Sequence, residues 1–390
     1  MSYKINAFSL FLSLFLLFSC SENMKQFEEF KNHDIDLTAS LDDTPAYSCV
    51  TRIGDEFEDF ELIPLENSDM AILGEIIKMQ ACDSGLYIQD SQDDNSLFYF
   101  NLNGDFVSKI GAKGHSKTEY TDIVNFCANS VGDTVAIMDY NYVKFYDNNG
   151  VFLRAEPLKG TYQWQGFLYT DNGFFLSTSN RGLETVLIQY TNNFKIDTCI
   201  IESPTVNVIR DIPSSCQNLI QINGNKICYY DYYTSTLFVI NIADMKDSKR
   251  YTFHSPNILT EDKMRSGKFD SFDLDHLESF VFEDSVVWGR FKYCEDVYDF
   301  RLDVKTDSCI LNRHVDFGYY FQCSYKGWYY LAIEPSMLLH ILDSENCGQN
   351  STRKLLENAL KPFAGKISDS DNYYILRMRK KKDNNIQSVK

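Results

Sequence analysis

Residues 97–114 read LFYFNLNGDFVSKIGAKG, which sets Gly104, Gly111 and Gly114 around Lys113. Glycines beside a lysine are the raw material of a phosphate cradle, but such a loop needs a helix directly after its glycines. Here the chain continues as a strand, so phosphate chemistry finds no support. Three carboxylates, Asp90, Asp139 and Asp231, recur at the ends of short apolar runs. That recurrence points first to turn-making, because Asp accepts hydrogen bonds from its own loop backbone. If different carboxylates converged on one point, they could instead hold a divalent ion. Tyr140, Tyr142, Trp164, Tyr232, Tyr233 and Tyr293 sit in or beside loops between such runs, where a flat ring could stack on a sugar or a peptide. The six histidines are scattered, with His115, His254 and His276 in connecting segments, and no GxSxG, HExxH or EF-hand run occurs.

Cysteine chemistry is concentrated at the start. The chain opens MSYKINAFSLFLSLFLLFSCSEN: Lys4, an apolar run from Ala7 to Phe18, then Ser19-Cys20. The run is too short for a comfortable spanning helix and reads as the core of a secretory signal. A small residue before a cysteine at this place resembles the lipobox of bacterial lipoproteins. The resemblance implies cleavage before Cys20 and lipidation of its thiol, with several acyl chains holding the protein to a membrane it does not cross. The other ten cysteines form no CxxC pattern, so a zinc site is not expected. Cys199 and Cys228 lie in apolar strand-like runs, where a buried free thiol is the expected state. The formal net charge of −18 argues against nucleic acid as a partner.

The elements that would position these residues repeat. Aligning Gly104 with Gly150 brings Asn103 onto Asn149, Phe106 onto Phe152, and Tyr99 onto Phe145. In each case an aromatic run meets Asn-Gly and a second apolar run follows, which is a hairpin signature. A turn residue followed by an apolar run starts at Gly85, Asp133, Gly173, Asn225, Asp284 and Gly327. One strand precedes each of these runs, and one or two follow most of them. Six units of four strands predict an all-β, six-bladed β-propeller with four-stranded blades. After Glu334-Pro335 the pattern changes to helical spacing (Met337, Leu338, Ile341, Leu342, then Leu355, Leu356, Leu360), so a helical insertion at about 335–362 is expected in the last blade. That blade lacks a fourth strand from the C-terminal side. The unused strand EDFELIPLE, residues 58–66, would close the ring by pairing with 372–380.

The expected organisation is therefore a lipoprotein signal peptide at 1–19, a lipidated Cys20 with a polar tether over 20–56, and a propeller over 57–380. A basic tail over 381–390 follows Arg377, Arg379 and Lys380 and includes Lys381 and Lys382, placed to be solvated or to touch anionic headgroups.

The lipobox, FELIPLE, LYIQDSQDDNSLFYFNLNGDFVSKIGAKG, the later Glu119-Tyr120 and the insertion after Glu334-Pro335 together resemble the six-bladed β-propeller lipoproteins abundant in Bacteroides-type bacteria. The resemblance spans roughly residues 57–380. It implies fold and envelope location but no catalytic residues. Where that family continues its glycine-rich loop, this chain has His115-Ser116-Lys117-Thr118.

Function follows from these expectations. The favoured reading is an outer-membrane lipid-anchored binding or interaction module, on the periplasmic or the surface side. It would take a glycan, peptide or envelope protein on the propeller's loop face, need no cofactor, and be monomeric outside a complex. The alternative is a metal-assisted, lactonase- or lyase-like propeller enzyme acting on a sugar or lactone, which requires carboxylates converging on the channel.

Overall fold

The computed structural model describes residues 25–26, 30–42, 49–91, 95–158, 164–170, 173–178, 186–191, 196–202, 220–232, 234–266, 274–313, 321–343, 351–363 and 365–381. The N-terminal elements are β1 (Lys25–Gln26), β2 (Lys31–Asp36), β3 (Leu41–Asp42), helix α1 (Cys49–Glu56) and β4 (Phe57–Pro64). Blade 1 is β5 (Ile76–Ala81), β6 (Gly85–Asp90), β7 (Ser96–Asn101) and β8 (Phe106–Lys109). Blade 2 is β9 (Asn125–Ala128), β10 (Thr134–Asp139), β11 (Tyr142–Asp147) and β12 (Phe152–Pro157). Blade 3 is β13 (Trp164–Thr170), β14 (Gly173–Thr178), β15 (Val186–Tyr190) and β16 (Ile196–Glu202). Blade 4 is β17 (Ile220–Asn223), β18 (Lys226–Asp231), β19 (Thr236–Asn241) and β20 (Lys249–His254). A short helix α2 (Glu261–Ser266) precedes blade 5, which is β21 (His276–Glu283), β22 (Val286–Tyr293), β23 (Asp296–Asp303) and β24 (Ser308–Arg313). Blade 6 begins with β25 (Cys323–Tyr325) and β26 (Trp328–Ile333). Helices α3 (Pro335–Asp343) and α4 (Ser351–Leu360) interrupt it before β27 (Tyr374–Lys380).

The ring closes as the strand inventory predicts. The last sheet has the order β25-β26-β27-β4, with Tyr374 opposite Pro64, Leu376 opposite Leu62 and Lys380 opposite Phe57. The Asn-Gly hairpins also form, and they do a second job. Gly104 (φ 89°) lies so close to blade 6 that a Cβ would meet the Pro64 carbonyl at 2.0 Å; Gly150 (φ 79°) meets Lys109 O of blade 1 at 2.3 Å in the same way. The repeated glycine is thus both the left-handed turn residue and the point where one blade presses on the last strand of the blade before it.

Between blades the contacts are aromatic, with polar tips satisfied across the seam. Tyr87 Oη donates to Gly132 O (3.0 Å), and Tyr251 Oη donates to Asp307 Oδ1 (2.6 Å). Around the axis, glutamine side chains bind neighbouring inner strands like an added peptide. Gln80 of β5 donates to Ala128 O and accepts from Ala128 N on β9, both at 2.9 Å. Gln221 of β17 does the same for Phe280 O and Phe282 N on β21. Lys78 is enclosed there too, donating to Asn125 Oδ1 and Phe126 O (both 2.6 Å), and burial pulls its ammonium down to about 8.

One sequence expectation needs correction. The polar tether over 20–56 is not what the described part of that segment forms. β1, β2 and β3 add parallel strands to the outer edges of blades 3, 4 and 5. Within this belt Ile35 and Leu37 are buried, Leu37 N donates to His254 O (3.1 Å), and Thr38 Oγ1 lies 3.1 Å from Tyr293 Oη. The strand was hidden because KNHDID commits few side chains to the core, and its hydrogen bonds go to an edge that needed covering. The cations of β27 and Lys381 just beyond it also hold to the fold. Arg377 and Arg379 both lie over the Trp328 ring (4.6 and 4.2 Å), and Lys381 Nζ donates to Gly54 O (2.9 Å) and Asp55 O (3.0 Å) at the end of α1. A cation at a helix C-terminus offsets the unpaired carbonyls and the negative end of the dipole. Residues 382–390 lie outside the described set.

The helical insertion is present where expected, and α1 packs against α4. Gly54 makes this possible: its N–H donates to Thr352 Oγ1 (2.7 Å), and a Cβ would lie 2.3 Å from Thr352 N. Gly54→Ala is expected to separate the two helices and cost about 1–3 kcal/mol, the range for forced overpacking, read as a lower urea midpoint. An unchanged midpoint would mean the helix pair carries no stability. Among the described residues no helix is long and apolar enough to cross a membrane.

Candidate functional site

Second-to-third-strand turns and blade crossovers share one face of the ring, and this loop face is built on clamps. Asp90 Oδ1, at the end of β6, accepts from Gly74 N (3.1 Å) and Glu75 N (2.8 Å) of the incoming crossover. Asp139, at the end of β10, accepts from Thr121 N (3.2 Å) and Asp122 N (3.3 Å) and pairs with the buried Lys144 ammonium at 2.9 Å. In blade 5, Asp275 receives Ser255 Oγ (2.6 Å) and Cys294 N (2.7 Å). Asp231 receives Thr234 Oγ1 (2.8 Å) in its own turn. The recurring carboxylates are therefore turn and crossover holders. Among the described residues no three His, Cys, Asp or Glu side chains come together to hold a metal.

The GAKG loop closes on itself. Gly114 N donates to Tyr120 O (2.8 Å), Tyr120 N donates to Ala112 O (3.0 Å), and Ser116 N donates to Glu119 Oε2 (3.0 Å). A Cβ on Gly114 would meet that carboxylate at 2.1 Å. The loop's amides hold an internal anion, Glu119, whose pKa these bonds lower. No phosphate seat is left.

The candidate aromatics divide sharply. Tyr232 and Tyr293 are 7% and 6% exposed; Tyr232 packs against His276, and Tyr293 bonds the belt through Thr38. His276 is structural as well. It is buried, with Nδ1 2.8 Å from Leu274 O, and burial lowers its pKa. His254 pairs with Asp34 of the belt at 3.0 Å. Tyr233 lies outside the described residues, as does Cys20; Trp164 opens β13, but its ring is outside the described set.

Tyr140 and Tyr142, by contrast, are 58% and 47% exposed on one hairpin tip. Tyr140 has φ 41°, an uncommon conformation for a bulky residue. What holds it is a polar chain that sequence reasoning missed. Gln89 Nε2 donates to Asn95 Oδ1 (2.6 Å), Asn95 Nδ2 donates to Asp122 Oδ1 (2.6 Å), and Tyr140 Oη donates to Asp122 Oδ2 (3.2 Å). Asn95 is itself left-handed (φ 58°). The Asp122 charge raises the Tyr140 pKa, so the hydroxyl stays a donor and the ring is fixed from its far end. The structure thus offers a pre-positioned ring braced by two blades.

A concavity lies on the opposite face, between blades 4 and 5. It measures about 440 Å³ and is framed by the tips Asn223–Lys226 and Asp284–Ser285, with Asn241, Ala243 and Lys305 on the flanking turns. Sequence reasoning passed over these residues because each reads as ordinary hairpin chemistry.

Comparison with known proteins bears on family and fold. A family model described as a domain of unknown function, DUF4934, matches residues 35–379, and the chain belongs to that family. No protein of curated function matches the chain. A solved structure titled "Putative exported protein" from Bacteroides fragilis is 16% identical, covering 90% of this chain and 100% of its own, with a TM-score of 0.65. A DUF4221 family member from Bacteroides vulgatus is 8% identical, covering 83% of this chain and 98% of its own, with a TM-score of 0.50. Both share the fold, and both sources agree with the Bacteroides-type resemblance.

Proposed function

We propose that this DUF4934 chain is an envelope binding module, held to a membrane by a lipid on Cys20 and presenting the Tyr140–Tyr142 hairpin to a macromolecular partner. One observation carries the reading: Tyr140 keeps its ring in solvent while its hydroxyl is tied through Asp122 to Asn95 of the neighbouring blade. Exposed tyrosines held in one geometry lose little entropy on binding and are the usual anchors of interfaces. Rings standing out from a turn suit a partner that brings its own concave surface, such as an envelope protein or a glycan chain. The enzyme alternative lacks a specific observation in its favour.

The test is affinity capture from membranes with the full lipidated chain, compared with Tyr140→Asn/Tyr142→Thr. Asn tolerates the left-handed turn, so the hairpin survives. Loss of two anchors is expected to weaken the captured partner at least about 30-fold, the equivalent of a 2 kcal/mol hot spot. A partner retained undiminished by the double variant rules the hairpin out. Cys20→Ala is expected to move the protein out of the membrane fraction; if it stays there, the anchor is not Cys20.

A further inference from the structure

The cleft between blades 4 and 5 sits at the face opposite Tyr140, and the proposed loop-face function leaves it unused. Two hairpin tips frame it. Asn223-Gly224-Asn225 turns β17 into β18 with Gly224 at φ 56°, and Asp284-Ser285 turns β21 into β22 with φ 51° and 67°. Consecutive left-handed residues make tight, well-defined turns, so the rim is set by backbone geometry. Asn223 crosses the gap at its base, donating to Phe282 O of blade 5 at 3.4 Å. Lys249 Nζ, donating to Val304 O (2.7 Å) and pairing with Asp307 Oδ1 (2.7 Å), fastens the two blades further out. The gap is therefore a fixed feature of the ring.

In a chain of net charge −18, two lysines, Lys226 and Lys305, border this one cavity, and neither forms an ion pair or a side-chain hydrogen bond among the described residues. Among the described residues the side chains of Asn225 and Ser285 form no hydrogen bond, and Asp284 supplies an acceptor. By contrast, Lys31 pairs with Asp247 (3.0 Å) and Arg154 with Glu156 (2.7 Å).

We propose that this cleft binds a carboxylated sugar. The two ammonium groups receive the carboxylate, while the Asn225 amide, Ser285 hydroxyl and Asp284 carboxylate take ring hydroxyls, which need both donors and acceptors. A volume of about 440 Å³ lies within the size class of small-ligand sites, and the polar lining selects a hydrophilic occupant. A bare anion would leave the Asn225 amide, Ser285 and Asp284 without a role, and a neutral sugar would leave both lysines without one.

The test is calorimetric titration of the full-length chain in detergent with glucuronate, glucose and inorganic phosphate. Glucuronate is expected to bind, glucose to bind at least tenfold more weakly, and phosphate to bind no better than glucose. Lys226→Gln/Lys305→Gln is expected to reduce glucuronate affinity at least tenfold without moving the thermal midpoint, since neither ammonium forms an ion pair or a hydrogen bond among the described residues. The Tyr140→Asn/Tyr142→Thr variant is expected to leave it unchanged, which separates this site from the loop face. Absence of glucuronate binding, equal binding by the lysine variant, or phosphate binding as tightly as glucuronate would each overturn the assignment.

Discussion

Ending the chain at Tyr373 is expected to abolish cooperative folding of the propeller, and supplying residues 374–390 as a separate peptide is expected to restore it. The deleted strand β27 is bonded on both edges, to β26 and to the N-terminal β4. It buries Tyr374, Ile375, Leu376 and Met378. At about 1.5–3 kcal/mol for each large apolar side chain, the loss is on the order of 6–12 kcal/mol, as large as the whole stability of an ordinary domain. Without β27, β4 has no sheet to join. The check is circular dichroism during heating, with and without peptide. A truncated chain that melts at the full-length temperature would show that the ring does not depend on this clasp.

The second large effect concerns the belt. Leu37→Ala is expected to cost about 3 kcal/mol, because Leu37 is fully buried beside blade 4 and its removal leaves a cavity. Ile35→Ala, at a slightly less enclosed site two residues earlier in β2, should cost about 2 kcal/mol. The same substitutions in a solvated tether would cost nothing, so urea unfolding decides between the two descriptions. A shift below about 0.5 kcal/mol, the range of surface substitutions, would return the segment to the status of a linker.

The contrast between belt and blades explains what was legible in the sequence. Blade strands announce themselves because both faces are buried: GLYIQD and TLFVIN are apolar almost throughout, and turn residues bound them at regular intervals. The clasp was legible because a missing fourth strand at one end matched a surplus strand at the other. KNHDID was not, because an outermost strand with mostly polar side chains carries little period-two signal. At the site, sequence reasoning selected six aromatics by loop position alone. Exposure of Tyr140 and burial of Tyr232 depend on partners far away in the chain, Asp122 and Asn95 for one and His276 for the other. Nothing local distinguishes them. Asn95, Asp122 and Gln89 are individually common loop residues, and their meeting is a property of two adjacent blades.

The clasp also sets an order of events. Phe57 pairs with Lys380, so the first propeller strand has no sheet partner until β27, more than 300 residues later, has been made. Blades 1 to 5 are local four-stranded units whose hairpins can form as each emerges, whereas blade 6 must wait for the largest loop closure in the molecule. Until β27 is made the chain is a row of blades with an unclosed end, and the ring comes into being when β27 joins β4. A nascent chain stalled short of its final strand would therefore present open blade edges to chaperones and proteases, while a finished one would present none at the closing seam.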